Sequence, residues 1–396
     1  MTPFIFLNSN NDSSIIAFGD GPCLRLDNGG LDSIQQFIDE NKKEYIFLAL
    51  SYDLKNDIEN LTSENTNKMH FPKAILWVPN IVVRIENNQR EYLKGKESID
   101  SEVVIDDFFS NQEFHDYQLD VDFKPRTSID EYLKNVNHLK EEIQQGNIYE
   151  VNYCQEYFAE NVELNDPITV YWKLNSITQA PYSSFFSFDE FTLLSGSPES
   201  YIRKKGSKIL SSPIKGTRKR GATKEEDDFL KDELLHDEKE RSENVMIVDL
   251  VRNDLSRIAK KGSVKVDEFL EIHSFETVHQ MISTISCEVE DKLSFSGILK
   301  ATFPMGSMTG APKISAMNLI EKHEDFQRGI YSGSIGYISP NGDFDLSVII
   351  RTLVYNNKQK YLSCSVGGAI TIQSDAKKEY EECQVKVKGI LEGLRR

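Results

Sequence analysis

The stretch FFSFDEFTLLSGSPESYIRKKGSKILSSPIKGT, residues 185–217, contains short apolar runs separated by Gly, Pro, Ser and Asp. Runs of this length between turn-forming residues predict successive β-strands. The preceding segment IYEVNYCQEYFAE, residues 148–160, has the two-residue period of a strand. Further strand candidates follow at residues 278–289, 332–339, 346–355 and 361–370. The chain after residue 146 is therefore expected to form an extensive sheet system.

Helical patterns flank these strand candidates. One begins after the capping candidate Ser128 and ends at Gly146, a second runs over residues 223–258 with at most one break, and a third covers residues 374–396. Residues 1–100 alternate apolar runs with polar clusters, which predicts a smaller, strand-rich lobe. The composition turns acidic and aromatic over residues 101–126. We therefore expect a smaller amino-terminal lobe, residues 1–120, and a second domain, residues 121–396.

Composition excludes several classes of protein. The 396 residues carry a formal charge of -17, whereas a nucleic-acid-binding protein should present a basic surface. No run approaches the roughly 20 apolar residues of a membrane span, and the amino terminus lacks the basic region of a signal peptide. The five cysteines have no C-x-x-C spacing, so neither a disulfide framework nor a zinc site is indicated, and a reducing cytoplasm is expected.

The segment PIKGT, residues 213–217, places Lys215 between a β-branched residue and a glycine, shortly after the SPE step that ends at Glu199. A lysine in such a position can act as a nucleophile. Basic residues surround the segment on both sides, however, and a basic run is usually a solvated loop. The local sequence leaves both interpretations open.

Four glutamates form two pairs with i, i+3 spacing: Glu240 with Glu243, and Glu379 with Glu382. Each pair shares one face of a predicted helix. If the two faces meet, two carboxylates could bind a hard divalent cation while two others hold its water ligands, as is usual for Mg²⁺. Both helices are rich in charge, so the spacing could also arise by chance.

Three further residues allow two interpretations each. Gly367 and Gly368 follow a predicted strand, where they form either a bulge or a close approach of a ligand to the backbone. Arg351 ends an apolar strand, where it is either a surface residue or a buried fork for a carboxylate.

Taken in order, a series of motifs resembles the chorismate-binding enzyme family over residues 128–396. The motifs are GNIYEVNYCQ (146–155), SGSPE (195–199), PIKGT (213–217), ERSENVMIVDLVRNDL (240–255), FPMGSMTGAPK (303–313), GIYSGSIGY (329–337), IIRT (349–352) and GGAITIQSDAKKEYEE (367–382). The resemblance implies an α+β fold of two antiparallel β-sheets packed as a sandwich with helices outside. It also implies that residues 121–396 are the chorismate-binding catalytic domain.

The resemblance further implies a set of site residues. Glu243 and Glu382 would ligate Mg²⁺, which holds the ring carboxylate of chorismate, and Glu240 and Glu379 would support its water shell. Glu199 would be the general acid that helps the 4-hydroxyl leave. The other substrate-binding positions implied are Arg351, Tyr331, Gly216, Thr217, Gly367 and Gly368.

Lys215 selects the reaction that the resemblance implies. Members that form anthranilate usually have alanine there, whereas lysine is associated with amination at C4. The Lys215 amine would attack C2 and expel the 4-hydroxyl; ammonia would then add at C4 and release the lysine, giving 4-amino-4-deoxychorismate, a precursor of 4-aminobenzoate and folate. The amine must be neutral to attack, and burial or a nearby cation such as Mg²⁺ would shift its pKa in the required direction, downward.

Departures from the family pattern bear on the alternatives, which are anthranilate formation and a non-catalytic chorismate-binding subunit. Glu150 stands where members that add water often have lysine and aminating members often have glutamine. Gln280 stands where anthranilate-forming members generally have histidine, and His279 should face the opposite side of its strand. No G-x-C-x-G elbow of a glutaminase is present, so a separate glutamine amidotransferase subunit is expected to deliver ammonia.

Overall fold

The computed structural model describes residues 2–11, 13–112, 119–276 and 278–395. Its strands are β1 (Phe4–Asn8), β2 (Ser13–Phe18), β3 (Cys23–Leu26), β4 (Ile46–Leu50), β5 (Ala74–Trp77), β6 (Ile81–Glu86), β7 (Gln89–Lys94), β8 (Lys124–Pro125), β9 (Glu150–Ala159), β10 (Tyr182–Phe188), β11 (Phe191–Ser197), β12 (Ser200–Lys205), β13 (Lys208–Ser211), β14 (Ile214–Lys219), β15 (Lys265–Ser274), β16 (Val278–Glu288), β17 (Gly310–Ala311), β18 (Ser334–Ile338), β19 (Phe344–Val348), β20 (Thr352–Asn356) and β21 (Tyr361–Ile370).

The α-helices are α1 (Leu31–Glu40), α2 (Lys55–Ile58), α3 (Ile99–Ser110), α4 (Ile129–Gln144), α5 (Pro167–Thr178), α6 (Lys224–His236), α7 (Glu238–Ser256), α8 (Phe295–Thr302), α9 (Lys313–His323) and α10 (Ala376–Arg395). Over the described ranges, none of these helices is long and apolar enough to cross a bilayer.

The strands form two antiparallel sheets. The first sheet has the order β17-β9-β21-β20-β11-β10-β1-β2-β6-β7, with β8 also paired to β9. The second sheet has the order β14-β16-β13-β12-β19-β18-β4-β5-β3, with β15 also paired to β16. The strands β9 and β14 thus lie near one end of their respective sheets.

Alternation along the strands explains why the sheets pack face to face. In β4, Phe47 and Ala49 enter a central core that also contains Ile5 from β1 of the other sheet. The intervening Leu48 of β4 belongs to a second core, which also contains residues of α1, α7 and α8, and Phe6 of β1 packs against aromatic rings of α3 and α5. Successive side chains point to opposite faces, so each sheet buries both faces. The expected α+β sandwich with outer helices is confirmed.

The strands of the amino-terminal segment extend both sheets. Strand β1 pairs with β10, and β4 pairs with β18, so residues from before and after position 120 share each sheet. The division into lobes 1–120 and 121–396 stays a prediction. Residues 113–118 of the acidic, aromatic stretch lie outside the described residues.

Candidate active site

A cavity of about 470 Å³ opens where the ends of the two sheets meet helices α7 and α10. The residues predicted for the site that line it are Glu199, Lys215, Gly216, Thr217, Glu240, Glu243, Tyr331, Arg351, Gly367, Gly368 and Glu382. These residues come from seven separate parts of the chain. Glu379, the remaining predicted residue, lies outside this lining.

A β-bulge directs Lys215 toward the cavity. In the pairing of β14 with β16, Ile214 lies opposite Ile282 and Thr217 lies opposite Gln280, so two residues of β14 face one residue of β16. Gly216 within the bulge has φ +88°, a backbone conformation that residues with a side chain rarely adopt. A Cβ added there would lie 3.0 Å from a methyl carbon of Leu234. Gly216 therefore allows the backbone bend that directs the Lys215 side chain toward the cavity.

Lys215 reaches across to the first sheet and forms a buried ion pair. Its Nζ lies 3.0 Å from Oε1 of Glu150, the first residue of β9, and the two side chains are 11% and 2% exposed. Burial lowers the pKa of Lys215, but the carboxylates of Glu150, Glu243 and Glu199 and the hydrogen bond to Glu150 raise the pKa by more. In this arrangement the neighbouring carboxylates outweigh burial, and they favour the ammonium form of Lys215.

Glu199 and Arg351 lie on two connections that cross between the sheets. Glu199 joins β11 of the first sheet to β12 of the second, and Arg351 joins β19 of the second to β20 of the first. The connections bind each other, because Val348 N donates to the Glu199 carbonyl and Gly196 N donates to the Arg351 carbonyl. An acid and a guanidinium far apart in sequence are thereby fixed side by side at the cavity.

The surroundings of Glu199 raise the pKa of its carboxyl group. Burial raises its pKa to about 7, although a hydrogen bond from Ser307 and the charge of Lys215 both act to lower it. The Ser307 Oγ donates to Glu199 Oε1 at 2.5 Å. A carboxyl group with these properties can donate a proton near neutral pH, which is what a general acid requires.

Arg351 and Tyr331 provide the binding groups for an anion. Burial lowers the pKa of Arg351, and no ion pair among the described residues involves its guanidinium. Tyr331 is buried, and its hydroxyl oxygen is 3.8 Å from Cys154 Sγ. A half-buried guanidinium without a carboxylate partner among the described residues is suited to bind the carboxylate of a ligand.

Gly367 and Gly368 lie in an unbroken part of β21, paired with Cys154 and Tyr153 of β9. The bulge considered for this dipeptide is therefore wrong. A Cβ on Gly367 would lie 2.4 Å from Cys154 Sγ, so the strand needs glycine there for packing. Both glycines line the cavity, and the lack of side chains leaves their backbone open to a ligand.

The two predicted glutamate pairs face each other across α7 and α10. Lys239 of α7 joins them, with its Nζ 3.7 Å from Glu243 Oε1 and 3.2 Å from Glu379 Oε1. Glu240 lies 3.6 Å from Arg218, and Glu382 lies 2.7 Å from a lysine one turn along α10. Glu379 is thus a partner of Lys239 behind the cavity.

The carboxylates can be tested for their fit to Mg²⁺. Among the residues that the structure describes, no three acidic, histidine or cysteine side chains converge on one point. Glu243 Oε1 is nevertheless buried without a hydrogen bond, and burial raises the pKa of Glu243 to about 7. Glu382 faces the same cavity. Since Mg²⁺ commonly takes one or two carboxylates and keeps several waters, Glu243 and Glu382 fit this ion.

His279 and Gln280 are neighbours on β16, and their side chains point to opposite faces of the strand, as its two-residue period predicts. Gln280 lines the cavity, whereas the buried His279 faces away from it and contacts Asp227 of α6 at 2.9 Å through Nε2. The expectation that the histidine faces the opposite side is confirmed. In the described part of the chain, histidine is absent from the cavity lining.

The polar groups that sequence reasoning missed include Ser307, the hydrogen-bond donor to Glu199, and the lysines Lys239 and Lys386, which pair with the predicted glutamates. Lys386 Nζ donates to the Gly367 carbonyl at 2.8 Å, which places it beside the two glycines. Helical spacing could have found both lysines, because each lies four residues from a predicted metal ligand.

A buried carboxyl group with a raised pKa, a lysine in an ion pair and a half-buried arginine around one cavity are the features of an enzyme active site for a small anionic substrate. The family described as chorismate binding enzyme matches residues 7–392, and the chain belongs to this family.

Individual relatives agree with the family assignment. Anthranilate synthase component 1 of Aquifex aeolicus (strain VF5) is 40% identical over 265 residues, which is 67% of this chain and 53% of that protein. Aminodeoxychorismate synthase component 1 of Escherichia coli (strain K12) is 39% identical over 286 residues, 72% of this chain and 62% of that protein. The chain thus spans only about half to three-fifths of the length of these two relatives.

The fold has close counterparts among solved structures. The structure of anthranilate synthase component I from Streptococcus pneumoniae TIGR4 aligns with a TM-score of 0.82 at 27% identity, covering 96% of this chain and 92% of that one. The alignment therefore covers both sheets and includes the amino-terminal segment.

Proposed function

We propose that this chain aminates chorismate at C4 with ammonia, in a Mg²⁺-dependent reaction that gives 4-amino-4-deoxychorismate. The observation that carries the proposal is the position of Lys215, a buried amine that reaches the same cavity as the proton-carrying Glu199. Relatives of similar identity are named aminodeoxychorismate synthase component 1 and anthranilate synthase component 1, so the names alone do not choose between C4 and C2 amination.

Substrate binding follows from the charges of the cavity. Chorismate has two carboxylates, and Arg351 is the guanidinium available for one of them, the enolpyruvyl carboxylate. Tyr331 and the backbone of Gly367 and Gly368 line the same cavity. Glu243 and Glu382 would hold Mg²⁺, which when bound supplies the positive charge that orients the ring carboxylate.

Lys215 and Glu199 then carry the chemistry. The neutral Lys215 amine attacks C2, both ring double bonds shift, and the 4-hydroxyl leaves as water with the proton of Glu199. Ammonia adds at C4, both double bonds return to their original positions, and the bond from C2 to the Lys215 amine breaks. The sum of the two steps is chorismate plus ammonia giving 4-amino-4-deoxychorismate plus water, with the enolpyruvyl group retained.

Gln280 supports retention of the enolpyruvyl group. Anthranilate formation needs a base to remove a ring proton as pyruvate leaves, and Gln280 has no basic atom. His279 is engaged by Asp227 and Ser274 away from the cavity. Elimination of pyruvate therefore lacks a histidine base among the described residues of the cavity.

The ammonia would come from a separate glutamine amidotransferase subunit in the cell, and from added ammonium in vitro. Relatives named component 1 support this, because the word implies at least one further component. The proposed pathway is 4-aminobenzoate and folate biosynthesis in the cytoplasm.

Product identification tests the proposal. The purified chain is incubated with chorismate, Mg²⁺ and ammonium, in the wild-type form and as Lys215→Ala, and products are identified by mass spectrometry. The proposal requires 4-amino-4-deoxychorismate from the wild type and its loss in Lys215→Ala. Formation of anthranilate and pyruvate would instead show that the chain aminates chorismate at C2. Formation of isochorismate would show that it adds water. Tight binding of chorismate without turnover would show that it is a binding subunit.

A further inference from the structure

Glu150 is a buried carboxylate with one partner. Its side chain is 2% exposed, and its Oε1 accepts a hydrogen bond from Lys215 Nζ at 3.0 Å. In the described structure its other oxygen, Oε2, is buried without a hydrogen-bond partner. Burying a carboxylate oxygen without a donor costs free energy of folding, because the oxygen loses its hydrogen bonds to water. This cost is expected where the charge of the carboxylate serves a function.

The proposed reaction creates a need for a proton acceptor beside Lys215. The amine must be neutral when it attacks C2, yet the carboxylates around it hold it as an ammonium. Four carboxylates influence Lys215, each from a different element: Glu150 from β9, Glu199 from the β11–β12 connection, Glu243 from α7 and Glu382 from α10.

Three of these four carboxylates have other roles or partners. Glu199 accepts the hydrogen bond of Ser307 and carries the proton for the leaving hydroxyl. Glu243 and Glu382 are the Mg²⁺ ligands of the proposed function. Among the four, Glu150 is the acceptor of the Lys215 hydrogen bond, so a proton can pass along that bond without rearrangement.

We propose that Glu150 is the catalytic base that takes the proton from Lys215 before the amine attacks the substrate. The step converts the ammonium and carboxylate into an amine and a carboxylic acid, and no net charge is created in the buried site. After ammonia displaces the lysine, the proton returns from Glu150 to Lys215. This inference rests on the proposed function and adds a third residue to its chemistry.

The test compares Glu150→Gln with the wild type over a range of pH. The kcat/KM for chorismate is measured between pH 6.5 and 9.5 at a fixed concentration of free ammonia and saturating Mg²⁺. At pH 7 the variant should be slower by roughly 100-fold, the size of a typical general-base contribution. The ratio of variant to wild type should then rise with pH, by up to tenfold per unit while Lys215 of the variant is protonated, because hydroxide replaces the missing base and the titration of Glu199 cancels in the ratio.

A matched control is Glu163→Gln. Glu163 also pairs with a lysine, Lys360, but lies beyond the other end of β9 and is exposed. This variant should have the wild-type rate and pH profile. Glu150→Asp, which keeps a carboxylate, should have a lower rate with the wild-type pH profile, and it tests the proposal if Glu150→Gln does not fold.

The outcomes separate this inference from the proposed function. A Glu150→Gln to wild-type ratio that is constant with pH would overturn the role of Glu150 as base, and so would a rising ratio for Glu150→Asp. If the wild type makes no 4-amino-4-deoxychorismate at all, the proposed function itself fails.

Discussion

Lys215 Nζ of the second sheet lies 3.0 Å from Glu150 Oε1 of the first, so this ion pair joins the two sheets at the cavity. The residues are 65 positions apart in sequence, and each lies at or near the end of its sheet. The position of the Lys215 amine is therefore fixed by the packing of the sandwich. Its protonation state depends on carboxylates that only the folded chain brings together.

Glu199 should set the alkaline limb of the pH profile. Burial raises the pKa of this group to about 7, and the proposed reaction needs its protonated form. Activity should therefore be present below pH 7 and fall as pH rises through that value. The measurement is kcat/KM for chorismate against pH at fixed free ammonia. Glu199→Gln should reduce kcat by about 10²–10⁴ while chorismate still binds.

The variant Ser307→Ala tests whether Glu199 is the group that titrates in the alkaline limb of the pH profile. The hydrogen bond from Ser307 lowers the pKa of Glu199, so its removal should raise the pKa and move the alkaline limb to higher pH. A limb that stays in place in Ser307→Ala, or that moves to lower pH, would show that another group titrates there.

Arg351 should contribute mainly to binding of the substrate. Replacement by lysine keeps the charge but loses the planar, bidentate fork, so Arg351→Lys should raise the KM for chorismate roughly 10- to 100-fold. Steady-state kinetics check this expectation. Arg203 provides a control, because it is exposed and paired with Asp345, and Arg203→Lys should leave KM unchanged. A lower kcat with unchanged KM in Arg351→Lys would contradict a binding role.

Glu243 should be necessary for binding of Mg²⁺ in the absence of substrate. The ion should raise the stability of the wild type by about 2.7 kcal/mol when its concentration is 100 times Kd, and thermal unfolding with and without Mg²⁺ measures this effect. Glu243→Gln should lose the stabilisation. Glu381→Gln, an exposed neighbour of Glu382 on α10, should keep it. Equal stabilisation of Glu243→Gln and wild type would exclude Glu243 as a ligand.

Gly367 should be intolerant of a side chain. Gly367→Ala places a Cβ 2.4 Å from Cys154 Sγ, and such overpacking costs about 1–3 kcal/mol. Thermal unfolding should show the loss, and the double variant Gly367→Ala with Cys154→Ala should recover part of it. Gly389→Ala on α10 is the control, since nothing lies within 4 Å of its added Cβ and alanine favours a helix. Equal stability of Gly367→Ala and wild type would contradict the tight packing.

Local chemistry made several helix boundaries predictable. Ser128 caps α4 by accepting a hydrogen bond from Glu131 N, as its position before the apolar pattern indicated. The pattern at residues 223–258 contains one break, at Asp237, whose side chain caps α7 by accepting from Glu240 N. Capping depends on residues three apart, so a single sequence contains the information.

The pairing of strands was not predictable in the same way. Phe4 pairs with Ser187, and Ile46 pairs with Ile338, so the amino-terminal strands find partners far along the chain. Period-two alternation indicates that a segment is a strand but not which strand lies beside it. The sandwich itself was expected from the resemblance to a family.

The site shows the same division between local and non-local information. Resemblance indicated Lys215, Glu199 and Arg351, and the structure brings all three to one cavity. The raised pKa of Lys215 could not be read from the sequence, because it depends on Glu150 and Glu243 from other elements. Burial alone would have lowered this pKa, and the neighbouring charges decide the direction.

The most direct test of the account is a search for the covalent intermediate on Lys215. The wild-type chain is incubated with chorismate and Mg²⁺ without ammonia, digested, and analysed by mass spectrometry. The account predicts that the peptide containing Lys215 gains the mass of chorismate less one water, and that added ammonia removes the modification as 4-amino-4-deoxychorismate appears. Full turnover by Lys215→Ala, or modification of a different residue, would contradict the account.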